Sequence, residues 1–413
     1  MRKDILAGFI SATMGLGAVA LIAPANAAPE VPYAEGQIMV EFREPEVAAD
    51  VLRRHGLEKG PRIGSTDALL IGVPEGKEAK LVDALSRNPA VEYAELDHLV
   101  TPATDDEYFA RQYALQNDGQ SFTNTNGDIS VAEGTADADV DAVEAWSVTT
   151  GSGVKVAVLD SGVANDNNDI TPKVAARANF TRGESGDDNY GHGTHMAGSV
   201  SATADNTEGV AGVCPGCQIL DGKVLNDSGV GSSSSLANGI NWSVNNGAKV
   251  INMSLGVRAS RTLESAVNNA WNNGVVLVAA AGNGGNQTKI YPGAYPNVIA
   301  VAATDNKDAK ASFSTYGAGW VDVAAPGVNV YSTFPNHTFV LGTQNNRSMG
   351  YDVGNGTSVS SAIVAATAAL AWSSDPGATH TSVRAEVEST ADKIAGTGTY
   401  WAHGRVNAGS VVK

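Results

Sequence analysis

The chain has 413 residues and a formal net charge of −17, with 27 lysines and arginines against 44 aspartates and glutamates. That length accommodates one large domain and a smaller one, each with its own core. The scarcity of basic residues argues against a nucleic-acid partner, which needs basic patches, while spare carboxylates suit an exported protein and hard cations.

The chain opens MRKDILAGFISATMGLGAVALIAPANA, in which Arg2 and Lys3 precede an apolar stretch ending in Ala25-Asn26-Ala27. Small residues at those spaced positions form a signal-peptidase site after Ala27. Residues 5–23 are also long enough to be weighed as a membrane anchor. Their interior Gly, Ser and Thr and the cleavage-like end favour a removed signal, hence an extracellular or periplasmic protein with no membrane contact afterwards.

Between residues 37 and 97 the sequence reads strand (QIMVEF), helix (VAADVLRRHG), strand (DALLIGVP), helix (EAKLVDALSR), strand (VEYAEL). Apolar spacing of three and four marks the helices and alternation marks the strands. The order predicts a small α+β domain, two helices on one face of an antiparallel sheet in a ferredoxin-like arrangement. A polar, proline-bearing linker follows, of the kind proteases cut.

Beyond it, VKVAVLD, QILDGKVL, AKVINMSL, GVVLVAAAGN and NVIAVAATD are near-continuous hydrophobic runs, separated by helix patterns such as SSSLANGINWSVNNG and LESAVNNAWNNG. Runs of this kind suit strands buried on both faces of a mainly parallel sheet flanked by helices, an α/β three-layer fold. The chain's two cysteines, Cys214 and Cys217, are too few for structural zinc and no thioredoxin-like unit surrounds them. They read as a local disulfide that stiffens a turn.

In an open α/β sheet, ligands bind beyond the carboxyl ends of the strands. Asp160 ends one strand run, Gly282-Asn283 ends another, and GHGTHMAGSV puts His192 and His195 at the head of a helix. In GNGTSVSSAIVAATAAL, Ser358, Ser360 and Ser361 open a further helix. Singly, each of these is more often a cap or turn residue. Together they make up the inventory for acyl transfer: hydroxyl, imidazole, carboxylate and amide donor.

VAVLDSGV, NYGHGTHMAGSV, VAAAGNGG and GNGTSV resemble the Asp, His, oxyanion-Asn and Ser blocks of the subtilisin-like serine proteases, in that family's chain order. SFSTYG, VDVAAPG and VYST resemble its thermitase branch. The resemblance implies a subtilisin-like peptidase domain over 104–413, preceded by a signal peptide (1–27) and a propeptide (28–103) that acts as intramolecular chaperone and inhibitor. It implies a monomeric endopeptidase acting on proteins or peptides, made as a zymogen that cleaves itself near residues 99–105. Ser358 would be nucleophile, His192 base, Asp160 its orienting partner and Asn283 the oxyanion donor, with His195 supporting the catalytic residues from behind or purely structural. Ser228, Gly229, Val230 and Gly231, with Ser254, Leu255, Gly256 and Val257, would pair with the substrate main chain. Ala280, Gly282 and Ile290 would line the pocket for the residue before the scissile bond, Ile290 at its floor favouring medium apolar side chains. One structural calcium is implied, on side chains of Asp106, Asp169 and Asn206 and carbonyls of Thr203, Glu208 and Val210. The stretch NFTRGESG lacks carboxylates at the positions a second site would need.

The serine block departs from the family pattern. Val359 stands for the usual Met, Ser360 for Ala and Ala362 for Pro, and residues 341–354 look like an insertion of about a dozen residues forming a loop near the cleft. These departures leave two other readings: a subtilisin-fold binding protein that has lost activity, and a processing protease dedicated to one substrate.

Overall fold

The computed structural model describes residues 33–98, 104–182, 185–375 and 377–412. The signal segment 1–27 and linker residues 99–103 lie outside the described residues. The chain divides into two compact units, residues 1–100 and 101–413.

In the small unit, β1 (Tyr33–Phe42), α1 (Ala48–Arg54), β2 (Leu69–Gly72), α2 (Glu78–Ser86) and β3 (Val91–His98) follow one another. β1 lies between β2 and β3, antiparallel to both. Its alternate residues Ile38, Val40 and Phe42 are buried with Ile71 of β2 and with Val51, Leu52 and Leu85 of the helices. This is one apolar face of a sheet covered by helices. Beyond β2, Arg62 makes a single antiparallel bridge with Leu69, where a ferredoxin-like sheet has its second strand. The strand stays this short for a local reason. Pro61 has no N–H to donate, and a Cβ on Gly60 would lie 1.7 Å from the Leu70 carbonyl oxygen.

The large unit begins with a two-residue ribbon, β4 (Phe122–Thr123) and β5 (Ser130–Val131), and the short α3 (Ala142–Trp146). Its sheet holds β6 (Lys155–Asp160), β7 (Val174–Asn179), β8 (Gln218–Lys223), β9 (Val250–Met253), β10 (Val276–Ala280), β11 (Ile299–Thr304) and β12 (Val323–Pro326). All seven are parallel, in the order β12-β11-β10-β9-β6-β8-β7. The hydrophobic runs are continuous because both faces are covered. Val156 and Val158 of β6 point into a core shared with α4 (His192–Ser201) and α8 (Thr357–Ser374). Ala157 and Leu159 point into the opposite core with α5 (Ser233–Asn245) and α6 (Arg261–Asn272). α8 crosses the middle of the sheet and is buried from Thr357 to Ala371, as an all-round apolar helix must be. Two further helices, α9 (His380–Ser389) and α10 (Ala408–Val411), close the unit.

The segment expected to be an inserted loop is more ordered than that. It forms α7 (Val340–Asn345) and then β14 (Tyr351–Gly354), which pairs antiparallel with β13 (Val330–Thr333). Cys214 and Cys217 form a disulfide in a turn just before β8, where a Cβ on Gly151 would sit 2.0 Å from the Cys214 sulfur. Glycine there lets the backbone lie against the bridge.

Candidate active site

β6 lies between β8 and β9, so the chain runs to one side of it and then crosses to the other. The carboxyl ends of strands at such a reversal form a crevice, and Asp160 stands there, 1 % exposed. His192 is the first residue of α4. The next residue, Gly193, brings that helix head against the strand end, since a Cβ there would lie 2.2 Å from the Gly162 carbonyl oxygen and 3.1 Å from Asp160 Cβ. His192 Nδ1 and Asp160 Oδ1 are 2.8 Å apart, and the same carboxylate oxygen accepts the Ser161 N–H at 2.7 Å. Burial disfavours the imidazolium, but the charge and hydrogen bond of Asp160, with Asp188 adding, outweigh it and raise the His192 pKa above its ordinary 6.5.

Asp188, fully buried, is a support that sequence inspection did not single out. It accepts from the Ser161 hydroxyl at 2.8 Å, the Gly191 N–H at 2.8 Å, the Thr194 N–H at 2.9 Å and the Thr194 hydroxyl at 2.6 Å. A carboxylate at a helix head satisfies otherwise orphaned N–H groups. This one also ties α4 to the residue after Asp160, fixing base and carboxylate relative to each other.

Ser358 is the second residue of α8. Its hydroxyl donates to the Ser254 carbonyl at 3.2 Å, and the Ser254 hydroxyl donates to the Ser358 carbonyl at 2.7 Å. The hydroxyl of the nucleophile candidate is thus engaged at the end of β9, in keeping with the looser catalytic hydrogen bonds of ligand-free sites. The neighbouring serines are spent on structure: Ser360 donates to the Pro326 carbonyl at 3.2 Å and Ser361 to Asn252 Oδ1 at 2.6 Å.

Asn283 follows β10. Its Oδ1 accepts both the Thr357 N–H, at 2.9 Å, and the Thr357 hydroxyl, at 3.0 Å. With the oxygen doubly engaged, the NH₂ side of the amide is left for a ligand. Thr357 Oγ1 in turn accepts the Gly282 N–H at 3.0 Å. The amide orientation therefore rests on the residue just before Ser358.

Three depressions meet at these groups. One, bounded by residues 229–232 and 254–257, runs up to His192; its wall includes Val230, 63 % exposed. A second, bounded by Gly256, Ala280, Gly282, Ile290 and Thr315, reaches Asn283 and Ser358. Ile290 packs between Gly256 and Gly282, whose added Cβ atoms would meet it at 2.6 and 3.0 Å. Arg258 and Thr288 also line this pocket and were missed from sequence. A third depression holds His192, Asn283 and Ser358 together with residues of α7 and β14. An imidazole paired to a carboxylate, a hydroxyl and a free amide around one cleft can perform acyl transfer.

The subtilase family, Peptidase S8, matches residues 151–405. The chain belongs to this family. The fervidolysin N-terminal prodomain matches residues 21–97, over the small unit. Thermitase of Thermoactinomyces vulgaris is 46 % identical over 276 residues, covering 66 % of this chain and 94 % of that protein. The thermophilic serine proteinase of Bacillus sp. (strain AK1) is 38 % identical over 394 residues, 92 % of this chain and 88 % of its own length. Among solved structures, a protease from Pseudoalteromonas arctica PAMC 21717 superposes with a TM-score of 0.64 at 28 % identity, over 75 % of this chain and 98 % of that one. This subtilase is a thermitase-like serine endopeptidase that carries a prodomain.

The remaining sequence-derived positions fall into two groups. His195 is buried against Phe334, ring centroids 4.8 Å apart. Burial, with His192 adding, pushes its pKa down to about 3, which favours the neutral ring. The candidate calcium ligands gather at a loop after α4. Asn206 donates its N–H to Asp106 Oδ1 at 3.0 Å and its side-chain amide to Asp169 Oδ1 at 3.0 Å. The Val210 N–H reaches Asp169 Oδ2 at 2.9 Å, and the Thr203 N–H reaches the Asp169 carbonyl at 3.0 Å. Glu208 donates its N–H to Asn206 Oδ1 at 2.9 Å. Burial, with Asp106 and Glu208 adding, pushes Asp169 up to about 7. Among the described residues no group of three His, Cys, Asp or Glu side chains forms a metal cluster. The donor set here is two carboxylates, an amide and the backbone.

Proposed function

We propose that this subtilase is a secreted, self-processing endopeptidase that cleaves peptide bonds through Ser358, His192 and Asp160. The observation that carries this reading is the 2.8 Å His192–Asp160 bond in a cleft that also holds Ser358 and the free amide of Asn283. His192 Nε2 takes the Ser358 proton as Oγ attacks the scissile carbonyl, then gives it to the leaving amine. Asp160 holds the tautomer that leaves Nε2 free and stabilises the imidazolium. The Asn283 amide and the Ser358 N–H receive the oxyanion. Water then attacks the acyl-enzyme, with His192 again as base.

The substrate main chain adds as a strand between residues 228–231 and 254–257, and Ile290 selects medium apolar side chains before the scissile bond. A library cleaved fastest after Arg or Lys would refute that preference. The leader (1–27) directs export. The prodomain (28–103) folds the protease, inhibits it and is cut near residues 99–105. The mature enzyme acts as a monomer, without nucleic acid or membrane.

Calcium fits the loop after α4. Two buried carboxylates converge on one asparagine, and Asp169 lacks enough compensation to ionise freely when buried. Oxygen donors in a flexible loop suit Ca²⁺. Asp106, Asp169 and Asn206, with carbonyls of residues 203, 208 and 210, would hold it, and the ion would supply the missing positive charge and brace the loop.

The deciding experiment expresses the full chain and Ser358→Ala, labels both with a fluorophosphonate and sequences their N-termini. Labelling and shortening near residue 100 in the wild type alone support the reading. A wild type that stays unlabelled at full length refutes it in favour of an inactive binding protein.

A further inference from the structure

The third depression at the active site, a cavity of about 310 Å³, takes part of its wall, Leu341, Asn345, Arg347, Val353 and Gly354, from the inserted segment. α7 docks on the chain just ahead of His192. The Val340 N–H bonds to the Asn189 carbonyl at 3.0 Å and the Leu341 N–H to the Tyr190 carbonyl at 3.1 Å. Close approach is possible because residue 191 is glycine, at φ +96°, where a Cβ would lie 2.3 Å from the Phe339 ring. The turn after α7 is tied on both sides. The Arg347 N–H returns to the Gly342 carbonyl at 3.0 Å. Asn346 donates to Asp128 Oδ2 at 2.8 Å, Asn126 to the Asn346 carbonyl at 2.7 Å, and Ser348 to Asn126 at 2.6 Å. Arg347 is thereby held at the cavity beside buried Met196, Phe334 and Val359.

Its guanidinium, half-buried, has no hydrogen bond or ion pair with any described residue. Asp128 is near enough to feel its charge, but Asp128 is hydrogen-bonded to Asn124 and Asn346. In a chain with a net charge of −17, a half-buried arginine kept free at the edge of the nucleophile's cavity is unusual, since arginines so placed normally find a carboxylate.

The first two depressions take the acyl side of the substrate, so the third lies where the leaving peptide departs from His192. We propose that Arg347 makes this cavity a carboxylate-binding subsite, so that the enzyme favours substrates with an acidic group one to three residues after the scissile bond. The inference rests on the catalytic reading above. The carboxylate could belong to an Asp or Glu side chain or to the substrate's own C-terminus, and both present the planar pair of oxygens that a guanidinium binds in fork geometry.

The test uses mature enzyme and internally quenched peptides of one fixed acyl half, varied to Glu, Gln or Lys at each of the first three leaving-side positions. A second pair ends two residues after the scissile bond, as free acid and as amide. Wild type is expected to show a kcat/KM about fivefold higher for Glu than for Gln at one position, or for free acid over amide, falling with added salt. Arg347→Lys keeps part of the preference, Arg347→Gln removes it, and Arg347→Glu turns it toward Lys. The ratios are taken within each variant, so altered expression or stability does not move them. Which pair discriminates tells a side chain from a terminus. Equal rates for all pairs in the wild type, or an unchanged ratio in Arg347→Glu, overturn the proposal. Absence of any cleavage, of these peptides or of casein, would instead overturn the catalytic reading.

Discussion

On the proposed mechanism, Thr357→Val isolates the bonds that aim the Asn283 amide at the oxyanion. Threonine and valine have nearly the same shape, so the buried site stays filled while one hydroxyl is lost. That hydroxyl makes two hydrogen bonds, donating to Asn283 Oδ1 at 3.0 Å and accepting the Gly282 N–H at 3.0 Å. Each is worth about 1 kcal/mol net, and the stranded Gly282 N–H adds roughly 1–3 kcal/mol to the stability loss. The Asn283 amide keeps only the Thr357 N–H and gains freedom to turn away from the oxyanion. Losing about 1.4 kcal/mol of transition-state stabilisation is tenfold in kcat, with KM nearly unchanged because the amide acts on charge that develops late. Asn283→Ala should cost about 10²–10³-fold, the magnitude established for subtilisin itself. The decisive measurement is a double-mutant cycle on a chromogenic peptide anilide. With Ala at 283 there is no amide to aim, so adding Thr357→Val should cost less than about twofold. An equal tenfold loss in both backgrounds would refute the reasoning and mean that Thr357 acts by placing Ser358.

Asp160→Asn should lower kcat about 10⁴-fold, the size known for serine-protease triads. The acid limb of kcat/KM is expected above 6.5 in the wild type, because Asp160 raises the His192 pKa, and should move to lower pH in the variant. The sign follows from removing the charge that favours the imidazolium while burial, which opposes it, remains. Because that imidazolium is favoured in the folded state, the pair also adds stability below about pH 6.5 that fades as pH rises through the His192 pKa. In the Ser358→Ala background, which avoids autolysis, calcium at about 100-fold over its Kd should add about 2.7 kcal/mol. A Tm gain of roughly 4 °C is expected for a domain of this size, and Asp169→Asn should abolish most of it. Peroxide should leave activity largely intact, since Val359 follows the nucleophile and has no sulfur to oxidise. Peptide mapping should find the sulfoxide at Met349, 57 % exposed, and not at buried Met196.

Much of the fold was legible because its signals are local. Runs such as VKVAVLD and GVVLVAAAGN announce strands covered on both faces, and the helix patterns between them emerge as α5 and α6 at nearly the expected bounds. The chemistry-bearing residues could be named because strand ends and helix heads are also local features. What holds them was not legible. Asn283 and Thr357 are 74 residues apart, Asp188 and Ser161 are 27 apart, and no periodicity marks a side chain whose task is to aim another. The short strand at Arg62 escaped notice because a single bridge has no alternation to read. The inserted segment was read as a loop since its polar residues hide a helix of only six residues, too short to show a 3.6 period.

The altered serine block can be judged against this geometry. Ala362, where the family usually has proline, is the sixth residue of α8, past its first turn, so the residue there does not set the φ at which the helix begins. α8 is instead fastened at its head by side chains. Ser360 binds the end of β12, Ser361 binds Asn252 of β9, and Ser254, just past β9, exchanges hydrogen bonds with Ser358 in both directions. Four bonds to the ends of two different strands constrain both translation and rotation of the first turn. Ser360, where the family usually has alanine, supplies one of them. The substitution that looked like a departure from the catalytic motif therefore adds a restraint to the turn that carries Ser358. On this account Ser360→Ala should loosen the turn that carries Ser358 and lower kcat, whereas Ala362→Pro would take the helical N–H away from the Ser358 carbonyl.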